Sequence, residues 1–282
     1  MLHLYQAIVL GVVQGVTEFL PISSTGHLRL IPRVFHWPDV GPTFDVALHF
    51  GTLLALLTYF WRDWIDVLRP VAAAIRGERR AASPHFGRSL FWGILIGCIP
   101  AVIAGYVFNK RIEQIETDSQ LDTAVMATVA AALVIVAVLL WAADRFGSKR
   151  KKKLAHMSFF DWIAIGTAQA VALIPGVSRS GATITVGLAC GLDRDAAARF
   201  SFLLSTPIFI GAAALKLADV LQAGFPRAEV APFVAGMVSA TVVGYFVIRW
   251  LLGYVRQHSM NVFVWYRLAL GAAILAVVFV GR

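Results

Sequence analysis

Gly11-Val-Val-Gln14-Gly-Val-Thr-Glu18-Phe-Leu-Pro21-Ile-Ser23-Ser24-Thr25-Gly26-His27 sets acid, amide, hydroxyl and imidazole groups inside otherwise apolar sequence. A second stretch, Gly166-Thr-Ala-Gln169-Ala-Val-Ala-Leu-Ile-Pro175-Gly-Val-Ser178-Arg179-Ser180-Gly181-Ala-Thr183, copies it. At a constant spacing of 155 positions, Ile8, Gly11, Gln14, Val16, Ser23 and Gly26 recur as Ile163, Gly166, Gln169, Val171, Ser178 and Gly181. The charged members are not shared. Glu18 and His27 occur only in the first copy and Arg179 only in the second. Brought together, an acid/base half and a cationic half make one site for a phosphate ester or anhydride.

Both copies are poor spanning helices. Each breaks at Pro21 or Pro175 into Ser, Thr and Gly, which leaves backbone groups unsatisfied if lipid surrounds them. Buried in protein, such a stretch forms a re-entrant hairpin that returns to the side it entered from.

The rest of the chain is membrane-like: 59% of its 282 residues are hydrophobic and only 15% charged. Eight apolar stretches stand out, roughly 2–20, 44–61, 89–108, 121–142, 160–175, 200–221, 231–253 and 262–280. Most approach the ~20 residues needed to cross a ~30 Å hydrocarbon core as helix. Apolar density without alternation argues for an all-α bundle over a barrel. The N-terminus does not read as a signal peptide, because it lacks a basic n-region and Gln14 and Glu18 interrupt the apolar run. Cys98 and Cys190 both lie in apolar sequence, which supports neither a disulfide framework nor a thiolate metal site.

A net charge of +9 raises the question of nucleic acid, but the distribution answers against it. The basic residues cluster in two connections, Arg62, Arg69, Arg76, Arg79, Arg80 and Arg88, then Arg145, Lys149, Arg150, Lys151, Lys152 and Lys153. Beside apolar spans such clusters mark the cytoplasmic side and meet anionic membrane lipids. No nucleic-acid partner is expected.

Three long apolar spans follow each polar motif, so the expected organisation is one integral membrane domain, 1–282, made of two repeats, about 1–148 and 156–282, joined by a basic cytoplasmic loop. With each motif a hairpin, each half crosses three times, and an odd number turns the second half upside down. The expected fold is an all-α polytopic protein of about six transmembrane helices plus two re-entrant hairpins, arranged as inverted repeats. Starting outside, both basic clusters then fall in the cytoplasm, the segment Asn109–Gln120 and Arg282 fall outside, and the site opens outward.

Gln14 and Glu18 share a helix face at i, i+4 spacing. An ionised carboxylate in a spanning helix costs about 2.5–3.5 kcal/mol and needs a compensating metal, base or ligand partner; snorkelling or a packing hydrogen bond is the plainer alternative. Ser23, Ser24, Thr25 and Gly26 collect hydroxyls and freed N–H groups that can cradle phosphate oxygens. His27 can take the Ser24 proton or attack phosphorus itself; read alone, this stretch better suits helix capping beside a packed histidine. Ser178, Arg179, Ser180 and Thr183 form the matching anion clamp, Arg179 orienting phosphoryl oxygens bidentately, unless Arg179 simply pairs with Glu18. Asp45 and His49 border the site or the membrane interface. Arg267 reads as a structural or headgroup anchor near the cytoplasmic start of the last span.

At Gly11–His27 and Pro175–Thr183, and along the stretches that follow each motif, the chain resembles the undecaprenyl-pyrophosphate phosphatase, or bacitracin-resistance, family. The resemblance implies a multi-pass hydrolase of the bacterial cytoplasmic membrane. It implies conversion of a polyprenyl diphosphate to the monophosphate carrier of peptidoglycan synthesis with a divalent cation, Mg²⁺ or Ca²⁺. It assigns Gln14 and Glu18 to an acidic, metal-binding motif, Ser23 to His27 to a hydroxyl-histidine motif, and Ser178 to Ser180 to an arginine motif. Gln14 departs from the glutamate familiar there and leaves Glu18 as the principal carboxylate. A homo-oligomer is compatible with this reading. The phosphatidic-acid phosphatase superfamily does not fit, since it requires a histidine where this chain has Thr185. A transporter or flippase is the main rival, because inverted repeats with broken helices also build transporters. A non-catalytic lipid scaffold leaves Glu18 and His27 without a use.

Overall fold

In the computed structural model, residues 2–37, 41–76, 85–117, 122–147, 151–223 and 230–280 are described, and all regular structure among them is helical. Arg79, Arg80, Asp118, Lys149, Arg150 and Arg282, which entered the topology argument, lie outside the described residues. The helices are α1 (Leu4–Thr17), α2 (Ser24–Val34), α3 (Gly41–Tyr59), α4 (Trp61–Ile75), α5 (His85–Thr117) and α6 (Asp122–Ala142). They continue with α7 (Phe159–Val171), α8 (Arg179–Ala189), α9 (Arg194–Ala223), α10 (Val230–Val255) and α11 (Asn261–Val280).

Among the described residues five helices are long and apolar enough to cross a membrane, and the pair α3–α4, bent by 72°, makes up to six. These are the six expected spans. Two expectations change in detail. Helix α5 runs on to Thr117, so most of the anticipated outer segment from Asn109 continues the helix. The Arg-rich connection after α3 begins as the helix α4, with Trp61, Ile65, Leu68 and Ile75 exposed and Val67, Pro70 and Ala73 buried. The arginines drew the reading toward a loop, although apolar residues three and four apart carry an amphipathic helix.

The two polar motifs fold alike. Helices α2 and α8 start at Ser24 and Arg179, the same 155-position spacing found in the sequence. Their N-caps, Ser23 and Ser178, both have left-handed backbone, φ 75° and 69°. Such a conformation in a non-glycine residue costs about 1–3 kcal/mol and persists where the surroundings over-determine it. At 14 and 13 residues, α1 and α7 extend only about 20 Å each, short of a hydrocarbon core.

Packing exchanges the halves. Helix α1 lies against α10, α7 lies against α5, and α6 pairs with α11. The first two crossings need glycine. A Cβ on Gly11 would meet the Gly236 carbonyl oxygen at 2.4 Å, and one on Gly166 would meet the Gly97 carbonyl oxygen at 2.2 Å. Small residues let backbones approach this closely and replace the hydrophobic drive that lipid cannot supply. The largest core cluster includes Phe19, Leu56, Phe60, Phe202 and Leu251, with Phe19 edge-on to Phe202 at 5.6 Å.

Both basic segments gather at the first turns of α9. Arg199 reaches Asp63 of α4 at 3.4 Å, and Lys153 reaches Asp193 at 2.5 Å. Lys152 bridges to Leu192 and pairs with Asp161, while Arg194 holds Asp144 and Arg256 holds Asp195. The two clusters, widely separated in sequence, therefore share one end of the bundle.

Candidate active site

Glu18 caps the C-terminus of α1, where its backbone N–H still donates to Gln14 and its carboxylate enters the break. It is 9% exposed. One carboxylate oxygen, Oε2, accepts from Gln14 Nε2 at 3.1 Å and from Ser24 Oγ at 2.7 Å, and His49 Nε2 stands 3.7 Å away. The i, i+4 relation of Gln14 and Glu18 thus holds as a direct contact. Across the break the left-handed turn at Ser23 swings α2 so that Ser24 faces back to Glu18.

The second motif closes on the first. Ser180 Oγ reaches two carbonyls of the first break, Leu20 O at 3.0 Å and Glu18 O at 3.3 Å. Ser178 caps α8 by accepting from Gly181 N at 3.1 Å. Glu18, Arg179 and Ser180 then line one small cavity with Ser205 and Phe209 of α9 and with Phe19, Leu56 and Phe202. The Arg179 guanidinium lies 3.9 Å above the Phe209 ring. No ion pair joins it to Glu18 among the contacts of the described residues, and its Nη1 has no hydrogen-bond partner. Gln14 Oε1 and Ser23 Oγ are buried without partners as well. Buried polar atoms are normally satisfied, and an orphan asks for a reason. Five of the six such atoms among the described residues sit in the paired motifs, the other two of the five being Gln169 Nε2 and Oε1.

Other residues are placed elsewhere. His27 Nδ1–H donates to the Ser23 carbonyl at 2.7 Å, Nε2 shares a 2.7 Å hydrogen bond with the Tyr266 hydroxyl, and the ring stacks on Tyr266. Its nitrogens therefore bind Ser23 and Tyr266, while Ser24 bonds Glu18. Thr183 stands behind Arg179, donating to its carbonyl at 2.7 Å and sharing a bond with Ser201. Thr25 is exposed, and Gly26 packs toward Val129, Leu270 and Ile274. His49 reaches Glu18, whereas its other nitrogen holds the Asp45 carbonyl.

Tyr266 went unnoticed in the sequence, since a tyrosine near the start of an apolar span is commonplace at membrane interfaces. Of the two roles expected for Arg267, structural or headgroup anchor, the structural one is seen. The side chain is fully buried, and its guanidinium binds backbone carbonyls, not headgroups.

No group of three His, Cys, Asp or Glu side chains that could cage a metal occurs among the described residues. A hard cation such as Mg²⁺ commonly takes one or two protein carboxylates and completes its shell with substrate phosphates and water. One carboxylate, Glu18, beside the unpartnered Gln14 Oε1 suits a cation that arrives with a diphosphate. It does not suit a preformed cage.

Chemically, a hydroxyl hydrogen-bonded to a carboxylate can become an oxygen nucleophile. Arg179, which lines one cavity with the Glu18 carboxylate and has a partnerless Nη1, can receive phosphoryl oxygens. The bacitracin resistance protein BacA family model matches residues 7–273. Undecaprenyl-diphosphatase of Moorella thermoacetica is 48% identical over 278 residues, covering 98% of both chains. That of Geotalea daltonii is 45% identical with 99% of each covered, and that of Thermomicrobium roseum 42% identical over the full length of both. With its paired motifs joined at one cavity and that likeness running end to end, this multi-pass membrane chain belongs to the bacitracin resistance protein BacA family.

Proposed function

We propose that this protein hydrolyses undecaprenyl diphosphate to the monophosphate carrier and inorganic phosphate. The observation that carries the reading is the Ser24 hydroxyl donating at 2.7 Å to buried Glu18, which lines one cavity with Arg179, a cation whose Nη1 has no partner. Names of the relatives agree with it.

Ser24 Oγ attacks the terminal phosphorus, and its proton passes to Glu18. The Oγ–P bond forms as the bridging P–O bond breaks, and the polyprenyl monophosphate leaves with the electron pair. Water then cleaves the phosphoserine and releases phosphate. Arg179 and the hydroxyl of Ser23 hold the transferred phosphoryl oxygens and stabilise their charge, while Ser180 ties the second motif to the carbonyls of the first. His27 acts through Ser23, whose carbonyl it holds one residue from the nucleophile. Gln14 and Glu18 would hold a Mg²⁺ or Ca²⁺ ion, which neutralises diphosphate charge when bound.

Purified protein in detergent, given a polyprenyl diphosphate, is expected to release phosphate and to fall silent in excess chelator. Absence of release would favour transport or scaffolding, since detergent removes any transbilayer gradient. Full release in chelator would remove the cation alone.

Ser24→Ala is expected to lose about 10³-fold or more in rate. Rapid quench of the wild type with substrate labelled in its terminal phosphate should trap an acid-stable, alkali-labile adduct. An acid-labile adduct would shift the attack to His27, and substantial turnover by Ser24→Ala would end the serine assignment.

The site is proposed to open on the outer face, with two inverted halves. The exchanged packing of α1 on α10 and α7 on α5 supports the repeat. Support for the outward opening comes from α9, whose first turns meet both basic segments while Phe209 lies 15 residues on from Arg194, about 22 Å along the helix. A cytoplasm-dependent reporter fused after Lys152 should be active and one after Arg282 inactive. The reverse would turn the protein over.

A further inference from the structure

Arg267 is the seventh residue of α11 and heads the largest fully buried side chains. A lone cation at 0% exposure inside an apolar bundle is costly unless its donors are used. Its hydrogen-bond partners among the described residues are all backbone carbonyls. Nη1 donates to Pro21 O at 3.1 Å, in the first helix break. Nη2 donates to Val177 O at 3.1 Å and lies 3.3 Å from Gly176 O, both in the second break. Nε donates to Leu133 O at 3.1 Å, and Nη2 also lies 3.3 Å from Ala132 O, both on α6.

The carbonyls at Pro21, Gly176 and Val177 belong to segments where the helical ladder is interrupted, and there is no bulk water in a bilayer core to take them. One planar guanidinium with a fixed fork can meet several of them at once. Its reach has a geometric consequence. Pro21 precedes Ser23 and Ser24 by two and three residues, and Val177 directly precedes Ser178 and Arg179.

We infer that Arg267 is a positioning residue, clamping the two helix breaks on one rigid group so that the Ser24–Glu18 pair and Arg179 face each other at reacting distance. It touches neither substrate nor the reacting atoms. This rests on the proposed hydrolysis and deepens it, by naming what holds the two half-sites in register.

A lysine in its place keeps the charge but carries a single nitrogen on a flexible stem and cannot span both breaks. Displacing reacting groups by about an ångström costs on the order of 100-fold. Arg267→Lys, assayed per folded molecule by phosphate release from a polyprenyl diphosphate, should therefore lose about 100-fold in kcat with KM little changed. A purely structural role would lower the yield of folded protein and leave kcat of the folded fraction intact, and that result overturns the inference.

Gly181→Ala decides the matter if the lysine variant does not fold. A Cβ there would lie 2.9 Å from Arg267 Nη1 and 3.1 Å from Ser178 Cβ, so it presses on the guanidinium, and less closely on the α8 cap, while removing none of the guanidinium's donors. It should lower kcat about tenfold; an unchanged kcat overturns the clamp. Wild-type protein that releases no phosphate removes both the hydrolysis and the clamp, whereas an active wild type with an equally active Arg267→Lys removes only the clamp.

Discussion

Arg179→Ala is expected to lower phosphate release by about 10³-fold, the lower end of what a transition-state arginine contributes to phosphoryl transfer. Its guanidinium is poised for that role and held by little else. The ring of Phe209 supports one face at 3.9 Å, Nη1 lacks a partner, and no ion pair with Glu18 consumes its charge. Diphosphate oxygens supply the missing acceptors. Because charge grows on those oxygens as the bridging bond breaks, the loss should fall mainly on kcat. Arg179→Lys should recover only part of the rate, as one ammonium cannot reproduce the bidentate fork. Initial rates on purified, monodisperse protein decide this, and activity within tenfold of wild type for Arg179→Ala would assign the arginine to packing against Phe209.

The second large effect belongs to Glu18. Glu18→Gln preserves the volume and can still meet Gln14 and Ser24, but it removes the negative charge and the proton acceptor. Loss of a positioned general base costs about 10²–10⁴-fold, and we expect about 10³-fold or more here because the same side chain also faces the proposed cation. Among the described residues the Ser24 hydroxyl makes no other hydrogen bond through which its proton could leave. The adduct trapped by rapid quench should disappear along with turnover. Persistent turnover with a normal adduct would hand the base role to another group, His49 at 3.7 Å from Glu18 being the nearest imidazole in the contacts found.

Much of this was legible along the chain because the two periodicities involved are strong. Apolar stretches near 20 residues announce spans, and α3, α5, α6, α9, α10 and α11 appeared where they were expected. Prolines followed by hydroxyls announce breaks, and both breaks formed, with matching helix starts and matching left-handed serines. Gln14 and Glu18 met because a helix brings i and i+4 together regardless of what surrounds it. The same logic misled at His27. Three residues from Ser24 on a helix, it was a natural base, yet its Nδ1 turned to the Ser23 carbonyl four residues back and Tyr266 took the other nitrogen. The choice between two reachable partners is made by side-chain rotation and by what packs behind, and neither is written in spacing.

The sequence by itself determined an all-helical membrane protein, the two broken motifs, and the division of charge that puts Glu18 in one and Arg179 in the other. Those follow from local chemistry: transfer energy along a helix, the missing N–H of proline, the identity of each side chain. Only the tertiary structure decided which groups touch. It joined Ser180 to the Leu20 carbonyl, set Ser24 on Glu18, and sank Arg267 between breaks that lie far apart along the chain. In an interior without bulk water a freed carbonyl or a charge is costly until it finds a partner, in the protein or in a ligand. Which partner it finds depends on how α1, α7 and α11 pack, a property of the whole bundle.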